Sequence, residues 1–283
     1  MNTSVSNFSR EIGAQLKFAG IDDYPIESRQ LISYCMDWTQ TQYLSSLNLP
    51  IDDGKRKRIE ALVKRRISRE PIQYILGSAS FYGRTFSVNP NVLIPRPETE
   101  LLVEQIIKFV KETNLKEPKI LDICTGSGII AISLAKELPS SNVTATDISE
   151  EAIEVAKLNA LRHQADINFI RENCTESISG YYDIFVSNPP YIETSAIDSL
   201  QPEIHLEPRI ALDGGIDGTD ILVPIIKNIS NAFHKKRTAI FLEIDPAVSE
   251  KVVEVSRLYF PKSFIDVIND FTGLKRILTI QQN

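Results

Sequence analysis

Between Asn7 and Glu70, three stretches, FSREIGAQLKFAG, ESRQLISYCMDW and DDGKRKRIEALVKRRISRE, repeat apolar residues at three- and four-residue spacing. That is the period of an amphipathic helix, and it predicts a small helical bundle over residues 1–70. Asp52 and Asp53 open the third helix, where carboxylates meet the positive end of the helix dipole, and Pro71 stops it. Residues 71–97 mix aromatic and β-branched residues with Gly77, Gly83, Pro90, Pro95 and Pro97. A β-hairpin followed by an extended linker is expected there.

From residue 98 to 283 the pattern changes. PETELLVEQIIKFVKETN reads as an amphipathic helix, with Pro97 preset for its start. Short apolar runs then alternate with helical ones: KILDIC, GIIAISLAKEL, NVTATDI, EEAIEVAKLNALRHQ, INFIREN, YYDIFVSN and, later, TAIFLEID among them. Strand–helix alternation of this kind predicts an α/β fold, a mostly parallel sheet covered on both faces. The last two strands, SFIDVIND and KRILTIQ, are joined through Phe271-Thr272-Gly273 with no room for a helix, so they should pair antiparallel as an edge hairpin.

Composition narrows the class. No apolar run reaches the roughly 18 residues that span a bilayer, and MNTSVSNFSR lacks the features of a secretory signal, so a cytoplasmic location is expected and no membrane partner. Three widely spaced cysteines, Cys35, Cys124 and Cys174, form no CxxC pair, and His163, His205 and His234 are scattered, so no metal site is expected. The net charge of −6 is unevenly spread: residues 1–80 carry +2 and the remainder −8. An acidic second half argues against bulk nucleic-acid binding there. The basic run from Lys55 to Arg69 reads either as a solvated helix face or as a docking surface for a nucleic-acid-associated partner.

Two motifs carry chemistry. Asp122-Ile123-Cys124-Thr125-Gly126-Ser127-Gly128 joins a strand to a helix, where glycines permit a tight turn and the helix start offers unpaired N–H groups to a ligand. Asp147 ends the next strand, placed to accept ribose hydroxyls. A nucleotide-type cofactor follows. The same glycines satisfy the dinucleotide pattern of hydride-transfer enzymes, but Asp122 before the loop suits a cationic amino-acid moiety, and no hydride-site His or Tyr/Lys pair accompanies it.

The second motif, Asn188-Pro189-Pro190-Tyr191, ends the fourth strand at the carboxyl edge of the sheet. Two prolines remove two backbone donors and fix both φ angles, so the Asn188 amide and the Pro189 carbonyl are aimed with little freedom. Each accepts one N–H from a planar nitrogen, an arrangement suited to alkyl transfer. Tyr191 is expected to pack its ring along that planar group. The tetrapeptide alone leaves amide and nucleobase substrates open.

Together with Arg69-Glu70-Pro71-Ile72-Gln73-Tyr74-Ile75-Leu76-Gly77, the IPRPETE block over Ile94–Glu100, and the EPRIALDGG block over Glu207–Gly215, these motifs resemble the release factor glutamine methyltransferases over nearly the whole chain. The resemblance implies a Rossmann-like class I methyltransferase sheet, an N-terminal helical domain that helps hold the substrate, and S-adenosylmethionine as cofactor. It implies methylation of the glutamine in the Gly-Gly-Gln motif of peptide chain release factors, with no nucleic acid required. By position, Asp122, Cys124, Thr125, Gly126, Ser127, Gly128, Asp147, Asn173, Cys174 and Asn188 would bind the cofactor. Asn188, Pro189 and Tyr191 would be catalytic, and with Pro190, Arg96 and Glu98 would hold the substrate. Cys124 stands where the family has glycine, which implies φ below zero there. Three rivals stand beside this reading: a ribosomal-protein glutamine methyltransferase, a DNA or RNA adenine methyltransferase, and a non-enzymatic ligand-binding protein.

Overall fold

The helical spacing becomes packing in a first unit that runs through Gly77 and takes in Pro202–Leu206; the computed structural model describes residues 3–232 and 238–282. This unit contains α1 (Val5–Phe18), α2 (Tyr24–Met36), α3 (Gln40–Ser45), α4 (Asp53–Ile67) and α5 (Ile72–Leu76). Phe8, Ile12 and Leu16 of α1 meet Leu31 and Ile32 of α2 and Ile59 and Val63 of α4 in one core. Burying each such side chain stabilises by about 1.5–3 kcal/mol, against about 1 kcal/mol or less for an exposed ion pair. The apolar stripe of α4 therefore outweighs its exposed charges in holding it in place. Asp52 caps α4 by accepting from the Lys55 N–H at 2.9 Å.

Two short helices escape the sequence pattern. In α3, six residues are too few to show a period, yet Thr39 and Gln42 form a capping box that fixes its start. In α5, Pro71 ends one helix and heads the next, Ile72 and Ile75 enter the helical core, and Gly77 terminates it at φ +69°. The predicted hairpin and linker therefore begin later than Pro71: β1 (Ser78–Phe81) pairs antiparallel with β2 (Arg84–Ser87).

Much of the basic run is spent inside the first unit. Arg66 is buried between Glu27 and Glu203, with Nε to Glu27 Oε2 at 2.6 Å and Nη1 to Glu203 Oε1 at 2.8 Å. Arg69 donates to the other Glu203 oxygen and to the Gly20 carbonyl. Lys57 and Lys64 remain exposed.

The second unit, Ser78–Gln201 with Glu207 onward, is built on a seven-stranded sheet of order β5-β4-β3-β6-β7-β9-β8. Its strands are β3 (Lys119–Ile123), β4 (Asn142–Asp147), β5 (Ile167–Arg171), β6 (Ile184–Ser187), β7 (Ala239–Glu243), β8 (Phe264–Asn269) and β9 (Lys275–Gln281). The first five are parallel, whereas β9 pairs antiparallel with both β7 and β8. The expected terminal hairpin is present, with β8 outermost. All of β6 and β7 is buried, as a strand covered on both faces must be. The covering helices are α6 (Thr99–Thr113), α7 (Ile129–Glu137), α8 (Glu150–His163), α10 (Leu222–Ala232) and α11 (Ser249–Tyr259), with a short α9 (Thr194–Ile197) after β6.

The chain runs outward from β3 through β4 to β5, then returns to the other side of β3 as β6. Strand order thus reverses between β3 and β6, where Ile123 pairs with Ser187. Open α/β sheets bind ligands at this switch point, beyond the carboxyl ends of the strands.

Candidate active site

A cavity of about 340 Å³ opens at that switch point, within the size range of small-ligand sites. The loop after β3 lines it with Cys124, Thr125, Gly126 and Ser127, and the end of β4 contributes Asp147. Asn173 and Cys174 follow β5 on the same wall, and Asn188 and Pro190 follow β6. The remaining lining is largely apolar, with Val92, Ile130, Ile148 and Ile225 among it.

The loop is held by its own backbone. Thr125 N–H donates to the Thr146 carbonyl and Gly128 N–H to the Thr125 carbonyl, both at 2.9 Å. Gly126, at φ +54°, donates its N–H to Asp147 Oδ2 at 2.9 Å, and a Cβ built on it would meet nothing within 4 Å. That open space is where a ligand can approach the backbone closely. The second Asp147 oxygen accepts from Ser149 N–H at 3.0 Å, and each oxygen keeps a lone pair for a ligand hydroxyl. Burial raises the Asp147 pKa, partly offset by the N–H donors of Ser149 and Gly126.

Cys124 corrects the expectation of φ below zero. It sits at φ +59°, in the left-handed region that costs an L-residue about 1–2 kcal/mol. The turn demands the conformation a glycine would take freely, and the cysteine adopts it with strain. Burial pushes its thiol well above the ordinary range, so it stays protonated.

Asp122 does not reach the cavity. It is fully buried beneath the loop, where Oδ2 accepts the Thr125 hydroxyl at 2.6 Å and the Ala131 N–H at 3.2 Å, while Oδ1 has no partner among the described residues. Desolvation raises its pKa to about 7. Its visible task is to tie the loop to the first turn of α7. Gly128 is likewise structural: at φ +82°, a Cβ there would crowd Ala156 at 3.1 Å.

Across the switch point, Asn188 Nδ2 donates to Thr99 Oγ1 at 3.1 Å, and Tyr191 donates its hydroxyl to Glu243 Oε1 at 3.1 Å. Pro189 and Pro190 are buried, but Pro189 and Tyr191 are not on the cavity wall. The Tyr191 ring packs into the core beneath β7, and burial beside Glu243 pushes its phenol far up, so it remains a donor. The segment behind is clamped by backbone: Ile192 N–H donates to the Leu212 carbonyl at 3.0 Å, and Gly214 N–H to the Ile192 carbonyl at 2.8 Å. A Cβ on Gly214 would lie 2.7 Å from Tyr191 Cα, and one on Gly215, at φ +91°, would collide with the Asp220 carboxylate, so both positions after Asp213 require glycine.

Arg96 lines the cavity but is paired with the buried Glu207 at 2.6 Å, whose other oxygen accepts the Ile94 N–H at 3.0 Å. The IPRPETE and EPRIALDGG blocks thus meet through one carboxylate. Glu98 stands at the N-terminal end of α6 and is not on the cavity wall. His163 bonds the Thr85 carbonyl at 2.9 Å, His205 lies in a 3-10 turn of the first unit, and His234 falls outside the described residues.

Sequence reasoning missed three residues that shape the site. Thr99 and Glu243 partner the Asn188-Pro189-Pro190-Tyr191 segment from α6 and β7. Asn159 is completely buried in α8 and bonds both the Ser127 carbonyl at 2.9 Å and the Ser87 backbone. The available signal was a polar residue at a helix position that the apolar spacing assigns to the core.

A family model described as PrmC N-terminal domain matches residues 9–77, and one described as Methyltransferase small domain matches residues 97–207. The chain is similar to the release factor glutamine methyltransferase of Agrobacterium fabrum, 34% identical with 95% of this chain and 94% of that protein covered. It is 35% identical to that of Streptococcus pneumoniae over 97% of this chain and 96% of that protein. Among solved structures, a Pyrococcus furiosus methyltransferase aligns with TM-score 0.51 at 17% identity, covering 71% of this chain and 90% of that one. A T. thermophilus 16S rRNA methyltransferase solved with AdoMet and guanosine aligns with TM-score 0.53 at 17% identity, covering 73% and 50%; both likenesses concern the fold alone. Full-length identity above 30%, together with both domains in order, shows that the chain belongs to the release factor glutamine methyltransferase family.

Proposed function

We propose that this chain methylates the side-chain amide nitrogen of the glutamine in the Gly-Gly-Gln motif of a peptide chain release factor, in the cytoplasm, with S-adenosylmethionine as donor. One observation carries the reading: Asn188 and Pro190 share a cavity wall with the Gly126 loop and Asp147 at a single switch point. S-adenosylmethionine, when bound, supplies a methyl group on a positively charged sulfur. Asp147 fits the ribose hydroxyls, Gly126 leaves space for the amino-acid portion, and Asn173 and Cys174 lie where the adenine would be flanked.

A primary amide nitrogen is a weak nucleophile because its lone pair is delocalised. Asn188 Oδ1 and the Pro189 carbonyl accept its two N–H groups, orient it, and strengthen their hold as positive charge develops on nitrogen. One amide proton leaves to solvent after transfer. Arg96 and Glu98 are proposed substrate contacts, Arg96 from the cavity wall. The helical unit supplies docking for the protein substrate, and no nucleic acid is needed.

Labelled S-adenosylmethionine offered with release factor, release factor altered at the glutamine of its Gly-Gly-Gln motif, ribosomal proteins and duplex DNA tests the reading. Label should enter the unaltered release factor alone. Label in DNA, or persistence after the glutamine is changed, contradicts it.

A further inference from the structure

Two walls of the cavity come from parts of the chain that no strand pairing joins. Asn91, Val92, Leu93, Pro95 and Arg96 of the linker after β2 form one, and Cys124, Thr125, Gly126 and Ser127 after β3 form the other. Strand β3 belongs to the seven-stranded sheet, whereas β2 sits in a separate sheet with β1. Helix α8 bridges them. Its residues Ala152, Ala156 and Asn159 follow at spacings of a helical turn and share one face. Ala152 lines the cavity, and Ala156 lies 3.1 Å from a Cβ built on Gly128.

Asn159 completes that face with three hydrogen bonds. Its Oδ1 accepts the Ser87 N–H at 2.7 Å, and its Nδ2 donates to the Ser87 carbonyl at 3.0 Å and to the Ser127 carbonyl at 2.9 Å. Ser87 ends β2 just before the linker wall, and Ser127 lies in the glycine loop. The orientation of the amide is forced. Turned around, its NH2 would meet an N–H group and its oxygen two carbonyls. The side chain is completely buried, so water does not replace a lost contact there.

We infer that Asn159 is a positioning residue for the cofactor: one buried amide ties the linker wall to the glycine loop and holds both at a fixed spacing around S-adenosylmethionine. This rests on the reading of the cavity as the S-adenosylmethionine site. Asn159 takes no part in the transfer itself. Asn188 and Tyr191 are held by Thr99 and Glu243, on α6 and β7, so loosening the two walls should weaken cofactor binding and spare the turnover of the loaded chain.

The test compares Asn159→Ala and Asn159→Asp with the parent chain and with Val155→Ala, a control that removes packing from a buried α8 residue away from the cavity wall. Each is measured for thermal melting, for S-adenosylmethionine affinity by calorimetry, and for kcat and KM on release factor. Asn159→Ala drops all three bonds, and Asn159→Asp replaces the donor that serves the two carbonyls. Both should lose about 10- to 100-fold in cofactor affinity, the scale of a buried hydrogen bond left unmade. KM for S-adenosylmethionine should rise with it, while kcat at saturating cofactor stays within about twofold of the parent's. Val155→Ala should melt lower and bind cofactor like the parent. Equal affinity losses in Val155→Ala and Asn159→Ala, parent-like affinity in Asn159→Ala, or a fall in kcat as large as the rise in KM, overturns the inference. Hydrogen exchange on the parent needs no variant to fold: adding S-adenosylmethionine should protect residues 88–96 and 125–128 together, and protection of one stretch alone overturns the inference. A parent that does not bind S-adenosylmethionine rejects the reading of the cavity, and the inference with it.

Discussion

The two strand ends that meet at the cavity are held by different means. After β3, the loop through Gly126 is fixed through its own backbone N–H groups, Thr125 donating to the Thr146 carbonyl and Gly126 to the Asp147 carboxylate of the neighbouring strand. After β6, Pro189 and Pro190 have given up their backbone donors, so Asn188 and Tyr191 are held by the distant side chains of Thr99 and Glu243, with the backbone of Ile192 clamped behind them. A loop held by backbone is sensitive to conformation and solvation. A segment held by side chains is sensitive to residue identity. Changes in the first should therefore move ligand affinity and stability, and changes in the second should move turnover.

The sharpest contrast comes from Asn188→Ala. Turnover should fall by about 100- to 1,000-fold, the usual consequence of removing one aligned polar group from a transition-state site, while calorimetry finds cofactor affinity nearly unchanged. A collapse of cofactor binding would merge the two regions into one.

Asp122→Asn probes the loop from beneath. The carboxyl ordinarily titrates near 3.8 and is raised to about 7 by burial. Its raised pKa stabilises the fold fully below 3.8, and that stability is lost as pH rises through 7, by about 4 kcal/mol at most. The asparagine still accepts from Thr125 and Ala131 and buries no charge. Its melting temperature should exceed the parent's at pH 8, with a flatter fall between pH 4 and 7; a parent-like pH profile would contradict the burial argument.

Gly126→Ala places a methyl group in the open cavity at φ +54°. Cofactor affinity should drop about tenfold or more, given strain of about 1–2 kcal/mol, with kcat at saturating cofactor less affected. The smallest effect is expected at Cys124. Its replacement by Gly removes the left-handed strain but adds freedom to the unfolded chain, for a net gain of about 0.5 kcal/mol, whereas Cys124→Ala keeps the strain and loses packing. Opposite signs of the two shifts in denaturant unfolding would establish the strain, and equal signs would exclude it.

The same contrast explains what was legible in the sequence. The sheet, its covering helices and the terminal hairpin follow from apolar periods and connection lengths, which are local. The glycine loop and Asp147 are local too, since each ends a strand beside its neighbour. Asn188-Pro189-Pro190-Tyr191 was visible as a motif, but its support was not, because Thr99 lies 89 residues before Asn188 and Glu243 52 residues after Tyr191. Asp122 was read as a ligand contact because sequence order gives adjacency and not direction, and the strand turned that carboxylate under the loop. The helix α5 was hidden by its own flanking Pro71 and Gly77, which read as breakers when they are its two ends.

The most direct measurement is to let the chain act on release factor with labelled S-adenosylmethionine and to locate the methyl group by tandem mass spectrometry. The expected product carries the methyl group on the side-chain amide of the Gly-Gly-Gln glutamine, and the Asn188→Ala chain yields almost none. A methyl group on any other residue, or equal product from the Asn188→Ala chain, would contradict the role given to that side chain.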